Sequence, residues 1–168
     1  MVEMELIAVR VELPGNTPVV VLRERNGEGR LLPIFIGQPE ATAIAFALDG
    51  VQTPRPMTHD LMRDLLEELG ATVERVVVTH LEEGTFFAEI HMVAGGDQHR
   101  VSARPSDAMA LALRIQCPIF ASDAVVAEAG LVPEDDADSD DDDQEVGEDV
   151  VEQFREFIDN VNPDDFAS

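Results

Sequence analysis

The sequence predicts an α+β fold: a mixed, largely antiparallel sheet of about six or seven strands packed with three to four helices. Short runs of alternating apolar residues, bounded by Gly, Asn and Pro, read as strands. Two Ala-rich segments, 41–48 and 108–113, read as buried helices. A hairpin centred on Gly95-Gly96 has a register that can be checked from sequence alone. Two-residue closure there pairs Ile90 with Val101 and Ala88 with Ala103, and pairs His91 with Arg100 and Glu89 with Ser102. Apolar meets apolar and polar meets polar, so the pairing is self-consistent.

The elements follow in order. Over residues 2–13, Ile7, Val9, Val11 and Leu13 alternate with Ala8, Arg10 and Glu12, which reads as a strand ending in the turn Pro14-Gly15-Asn16. A second strand spans 18–25, and Asn26-Gly27-Glu28-Gly29 returns the chain into a third at 30–36. Gly37-Gln38-Pro39-Glu40 opens the first helix, with Pro and an acid where a first turn favours them. Thr58 is the expected N-cap of a helix to about Leu69, with Leu61, Leu65 and Leu69 as its inner stripe and Met62 and Leu66 beside them. Strands follow at 72–81, 85–94 and 98–104. Arg104-Pro105-Ser106-Asp107 then opens a helix to about Ile115. Pro118-Ile119-Phe120 reads as a short strand, and Ser122 as the cap of a helix to Glu128.

The organisation is one domain at 1–131, an acidic linker expected to be disordered at 132–149, an amphipathic helix at 150–161 and a tail at 162–168. The apolar fraction of 45% is enough to fill one core.

Charge narrows the function. The net charge is −24, the chain has no lysine, and residues 134–168 hold 16 of the 35 acids. Such a field repels nucleic acid, so any contact with it relies on local arginines or bound cations, and tight duplex binding is disfavoured. Aromatics are 5%, all Phe, which limits base stacking. The lone Cys117 in apolar surroundings reads as a packing residue in a reducing compartment. No apolar stretch approaches the roughly 20 residues of a membrane span, and the N-terminus lacks a leader pattern. The expectation is a cytoplasmic protein without membrane attachment.

Three blocks carry a resemblance. They are Leu32-Pro33-Ile34-Phe35-Ile36-Gly37-Gln38-Pro39-Glu40-Ala41, Pro54-Arg55-Pro56-Met57-Thr58-His59-Asp60-Leu61, and Ser102-Ala103-Arg104-Pro105-Ser106-Asp107-Ala108-Met109-Ala110-Leu111-Ala112. In this order and spacing the chain resembles the bifunctional nucleases, described as acting on both RNA and DNA. The resemblance implies a mixed-sheet α+β fold and a homodimer, and it supplies no established catalytic residues.

Each block places polar residues at a helix start, where free N–H groups favour anions. Brought together, they would suit phosphodiester hydrolysis. Glu40, Asp60 and Asp107 are the expected ligands of Mg2+ or Mn2+. Arg55, Arg104 and Ser106 would hold the substrate phosphate. His59, with Asp60 and Asp107, would carry the catalysis as acid and base. Plainer readings stand beside these: acids in first helical turns complement the helix dipole, and Arg104 can pair with Asp107. His80, His91 and His99 lack ligand spacing and read as surface or satisfied residues. The competing function is a non-catalytic dimeric module that binds a small anionic ligand or a protein at the same cleft.

Overall fold

The computed structural model of the protein describes residues 1–12 and 15–133. The linker and tail readings from residue 134 onward, the helix at 150–161 included, lie outside the described residues, as do Leu13 and Pro14.

Seven strands and four helices follow the expected order: β1 (Val2–Glu12), β2 (Thr17–Glu24), β3 (Leu31–Phe35), α1 (Gln38–Leu48), α2 (Thr58–Glu68), β4 (Thr72–Glu82), β5 (Thr85–Ala94), β6 (Asp97–Ala103), α3 (Pro105–Ile115), β7 (Ile119–Ala121) and α4 (Asp123–Ala129). They build one sheet in the order β3-β2-β1-β7-β4-β5-β6. The two antiparallel meanders β1–β3 and β4–β6 are local, joined by short turns. The short β7 comes late in the chain and is inserted between them, antiparallel to β1 and parallel to β4. The β5–β6 register is the one expected, with Ile90 opposite Val101 and His91 opposite Arg100. Gly95 and Gly96 close it at φ 63° and 91°, which glycine adopts at no steric cost.

The core lies between one face of the sheet and α1, α3 and α4, with Leu22, Leu32, Val76, Val78, Ile44, Met109, Leu111 and Val125 nearly or wholly sealed. Six consecutive residues of α1, Ala41–Phe46, are buried, and so is most of α3. Their small side chains let the two helices lie against each other and the sheet at once.

α2 differs from expectation. It is a second layer, packed on α3 rather than on the sheet. Met57, not Thr58, is its N-cap, and the Asp60 carboxylate accepts the Met57 backbone N–H at 3.0 Å. The expected inner stripe faces outward: Leu61, Leu65 and Leu69 are 51%, 53% and 78% exposed. The buried side is His59, with Met62 and Leu66 against the core. Two apolar stripes were available on this helix, and the one that also carries His59 was taken by α3.

Candidate active site

The three blocks meet at the N-terminal ends of α1, α2 and α3. Pro39 and Pro105 start α1 and α3, and Glu40 and Asp107 sit in their first turns. At Gly37 an added Cβ would run into the Glu40 carboxylate, so glycine there lets Glu40 fold back over its own helix start.

Arg104 is the hub. Its Nε donates to Asp107 Oδ2 at 2.7 Å, and one terminal nitrogen donates to Glu40 Oε1 at 2.7 Å and Asp107 Oδ1 at 3.1 Å. His59 reaches the same carboxylate, Nε2 to Asp107 Oδ1 at 3.1 Å. The Arg104 side chain is 64% exposed, whereas His59 is buried. The four residues line a cleft of about 500 Å³ with Gln38, Pro39 and Met57.

Burial raises the Asp107 pKa, but hydrogen bonds from Arg104 and His59 outweigh it and hold the carboxyl below the ordinary aspartate value. Hydrogen bonds to Asp107 and then Glu40 push the Arg104 pKa up further. An ionised Asp107 only accepts, so His59 Nε2 carries its proton toward Asp107, leaving Nδ1 as the acceptor. Nδ1 makes no hydrogen bond among the described residues. The arrangement can therefore orient an imidazole, take a proton from a bound water and present a fixed positive charge beside it.

Ser106 faces a neighbouring cleft of about 360 Å³, which Arg104 also lines. Arg55 stays exposed in its loop, apart from both clefts. Asp60 turns the other way. One residue further along a helix is about 100° further round, and its Oδ1 accepts Arg114 Nε at 2.6 Å, at the last turn of α3 rather than the first. Arg114 was invisible as a partner, lying 54 residues away with no motif around it. The spacing of Asp107 four residues after a strand gave no hint that Glu40 would share Arg104 with it.

A family model described as bifunctional nuclease domain matches residues 20–134. The chain belongs to the bifunctional nuclease domain family. An uncharacterised protein of Mycobacterium tuberculosis is 50% identical over 167 residues, covering 99% of this chain and 98% of that one. Bifunctional nuclease 2 and bifunctional nuclease 1 of Arabidopsis thaliana are 32% and 30% identical over 112 and 105 residues, 64% and 61% of this chain. The chain spans about a third of those plant proteins, 34% and 32% of their lengths. All three blocks, and every residue of the cleft cluster, fall inside the matched bifunctional nuclease domain.

The expected metal ligands do not form one set in this bifunctional nuclease domain. Asp60 is held by Arg114 at the last turn of α3, and among the described residues no three His, Cys, Asp or Glu side chains are gathered to hold an ion. Glu40 and Asp107 do approach, but the Arg104 guanidinium lies between them and takes the acceptor oxygens a cation would use. A divalent ion would have to displace Arg104 before these carboxylates could hold it, so the donor set as arranged does not fit Mg2+ or Mn2+.

No helix among the described residues is long and apolar enough to cross a membrane.

Proposed function

We propose that this chain is a nuclease that hydrolyses phosphodiester bonds of RNA and DNA with little sequence specificity, through His59 and Asp107 with Arg104 beside them. The observation that carries this reading is the His59 Nε2–Asp107 Oδ1 contact of 3.1 Å in an open cleft next to an exposed arginine.

In this reading Asp107 fixes the imidazole tautomer and steadies it once charged. His59 Nδ1 takes a proton from water as the water oxygen bonds to phosphorus, and the ester oxygen leaves with its bonding pair and is protonated from solvent. The second terminal nitrogen of Arg104, free of protein hydrogen bonds, reaches the non-bridging oxygens. Backbone N–H groups at the starts of α1 and α3 add favourable dipoles. Recognition confined to phosphate and charge accounts for the low specificity. The reading includes a cytoplasmic setting, consistent with the single half-buried Cys117, and a homodimer, for which the outward Leu61, Leu65 and Leu69 side of α2 is the apolar surface at hand.

The second reading, a non-catalytic module for a small anion, needs only the exposed Arg104 beside an open cleft. Cleavage of labelled single-stranded RNA and DNA, with EDTA and with added Mg2+ or Mn2+, separates the two. His59→Gln and Asp107→Asn are expected to lower the rate about 10²–10⁴-fold with little change in melting. Cleavage that survives both substitutions refutes the site, and anion binding without cleavage by the wild type establishes the module.

A further inference from the structure

We propose that the face of the sheet opposite the helices is the track along which a single-stranded nucleic acid leaves the cleft, with Arg75 and Arg100 holding phosphates and the His80–Phe87 pair stacking a base. This rests on the nuclease reading and says where its substrate lies.

The helices share a core with Leu22, Val76, Val78, Ala88 and Ile90, whereas Val77, Phe87, Glu89, His91 and Phe120 are outside it. Those residues alternate with the core positions and so point to the other face. On that face Arg75 is opposite His91, and His91, itself buried, is opposite Arg100, so two arginines flank one histidine in a row across β4, β5 and β6. The nearby Glu89 accepts from or pairs with His91 Nε2 at 2.9 Å, and neither Arg75 nor Arg100 has an ion pair among the described residues. Arginines on β2 and just after it are matched in the ordinary way, Arg23 with Glu5 and Arg25 with Glu3.

Arg75 is also the residue whose Nε is buried without a hydrogen-bond partner, alone in that state among the described side chains. Among the described residues the outer nitrogens of that guanidinium make no protein hydrogen bond either. A chain whose net field repels polyanions thus keeps two guanidiniums without an ion pair among the described residues within three adjacent strands. Charge complementarity selects a phosphate-bearing strand as the occupant.

The row connects to the cleft. His80 and Phe87 are stacked, with ring centroids 4.4 Å apart and planes 4° from parallel, beside the turn at Gly84. Gly84 and Phe86 line the second cleft with Ser106 and Arg104, and Arg104 lines the first. From His80 to Arg75 along β4 is about 16 Å, room for a few nucleotides. Stacking and phosphate contacts are available to every base, in keeping with low specificity.

The test is anisotropy of labelled oligothymidylate and oligouridylate with the full chain across a salt series. Arg100 is exposed, so Arg100→Gln should fold and bind about tenfold more weakly. With Arg75→Gln added, the slope of log affinity against log salt should fall by about 1.4, as for two lost single-strand phosphate contacts. Phe87→Leu should weaken binding several-fold with the slope unchanged. Arg100→Gln and Phe87→Leu proteins that bind like wild type, while His59→Gln still abolishes cleavage, overturn the track and spare the nuclease reading. Weakened binding by these variants, with no cleavage by wild type, does the reverse. Loss of self-association in Arg100→Gln with oligonucleotide affinity intact makes the face a protein interface and also overturns the track.

Discussion

His59 and Asp60 adjoin in the sequence and serve two different networks. His59 joins Asp107, Arg104 and Glu40 around an open cleft, where the arginine is 64% exposed. Asp60 joins Arg114, whose side chain is 7% exposed, and both partners are further tied down: Asp60 caps Met57 N–H and Arg114 donates to Ala110 O at 2.9 Å. The second network is the more buried at its arginine, and it staples α2 to α3. The first leaves His59 Nδ1 and one arginine nitrogen with no protein partner among the described residues. Two ion-pair clusters of similar composition thus divide between holding the fold and facing a ligand, and what separates them is the exposure of the arginine, 64% for Arg104 against 7% for Arg114.

The largest effect should come from opening the second network. Arg114→Ala strands the Asp60 carboxylate, and breaking a buried pair this way is expected to lower stability by about 3 kcal/mol. Glu40→Gln, which weakens a pair to an exposed arginine, should cost under about 1 kcal/mol. Urea midpoints of the two variants compare them directly, and equal losses would erase the distinction.

A smaller effect is expected from acid. Because Asp107 has a lowered pKa in the folded protein, the unfolded chain takes up that proton first as pH falls. Its contribution to stability is whole above the ordinary aspartate range and is lost as pH drops through the folded value. Asp107→Asn should therefore show a shallower decline in urea midpoint between about pH 5 and 2 than wild type. Parallel declines would mean that the open cluster does not hold Asp107 ionised.

The smallest concerns the wall beside the second network. Gln116 ends α3 at φ 61° and lines the cavity that Asp60 and Arg114 share. A left-handed non-glycine residue costs about 1–2 kcal/mol, part of which Gly returns as entropy. Gln116→Gly should raise the melting midpoint slightly and leave cleavage unchanged. A fall would show that the Gln116 side chain supports the network.

Local physics made much of this protein readable. Hairpin glycines, strand alternation, proline at helix starts and the Ser122 cap each act within a few residues, and the elements they mark stand where expected. Amphipathicity placed α2 but could not choose between its two apolar stripes, because that choice depends on what α3 offers. Likewise, the sequence by itself determined that Glu40, His59, Arg104 and Asp107 each open a helix. That the four share one cleft, that Asp60 leaves them for Arg114, and that Arg104 fills the place between the carboxylates were decided by tertiary packing. Those contacts join residues 48 to 64 positions apart, and nothing in the local chain encodes a distance of that kind.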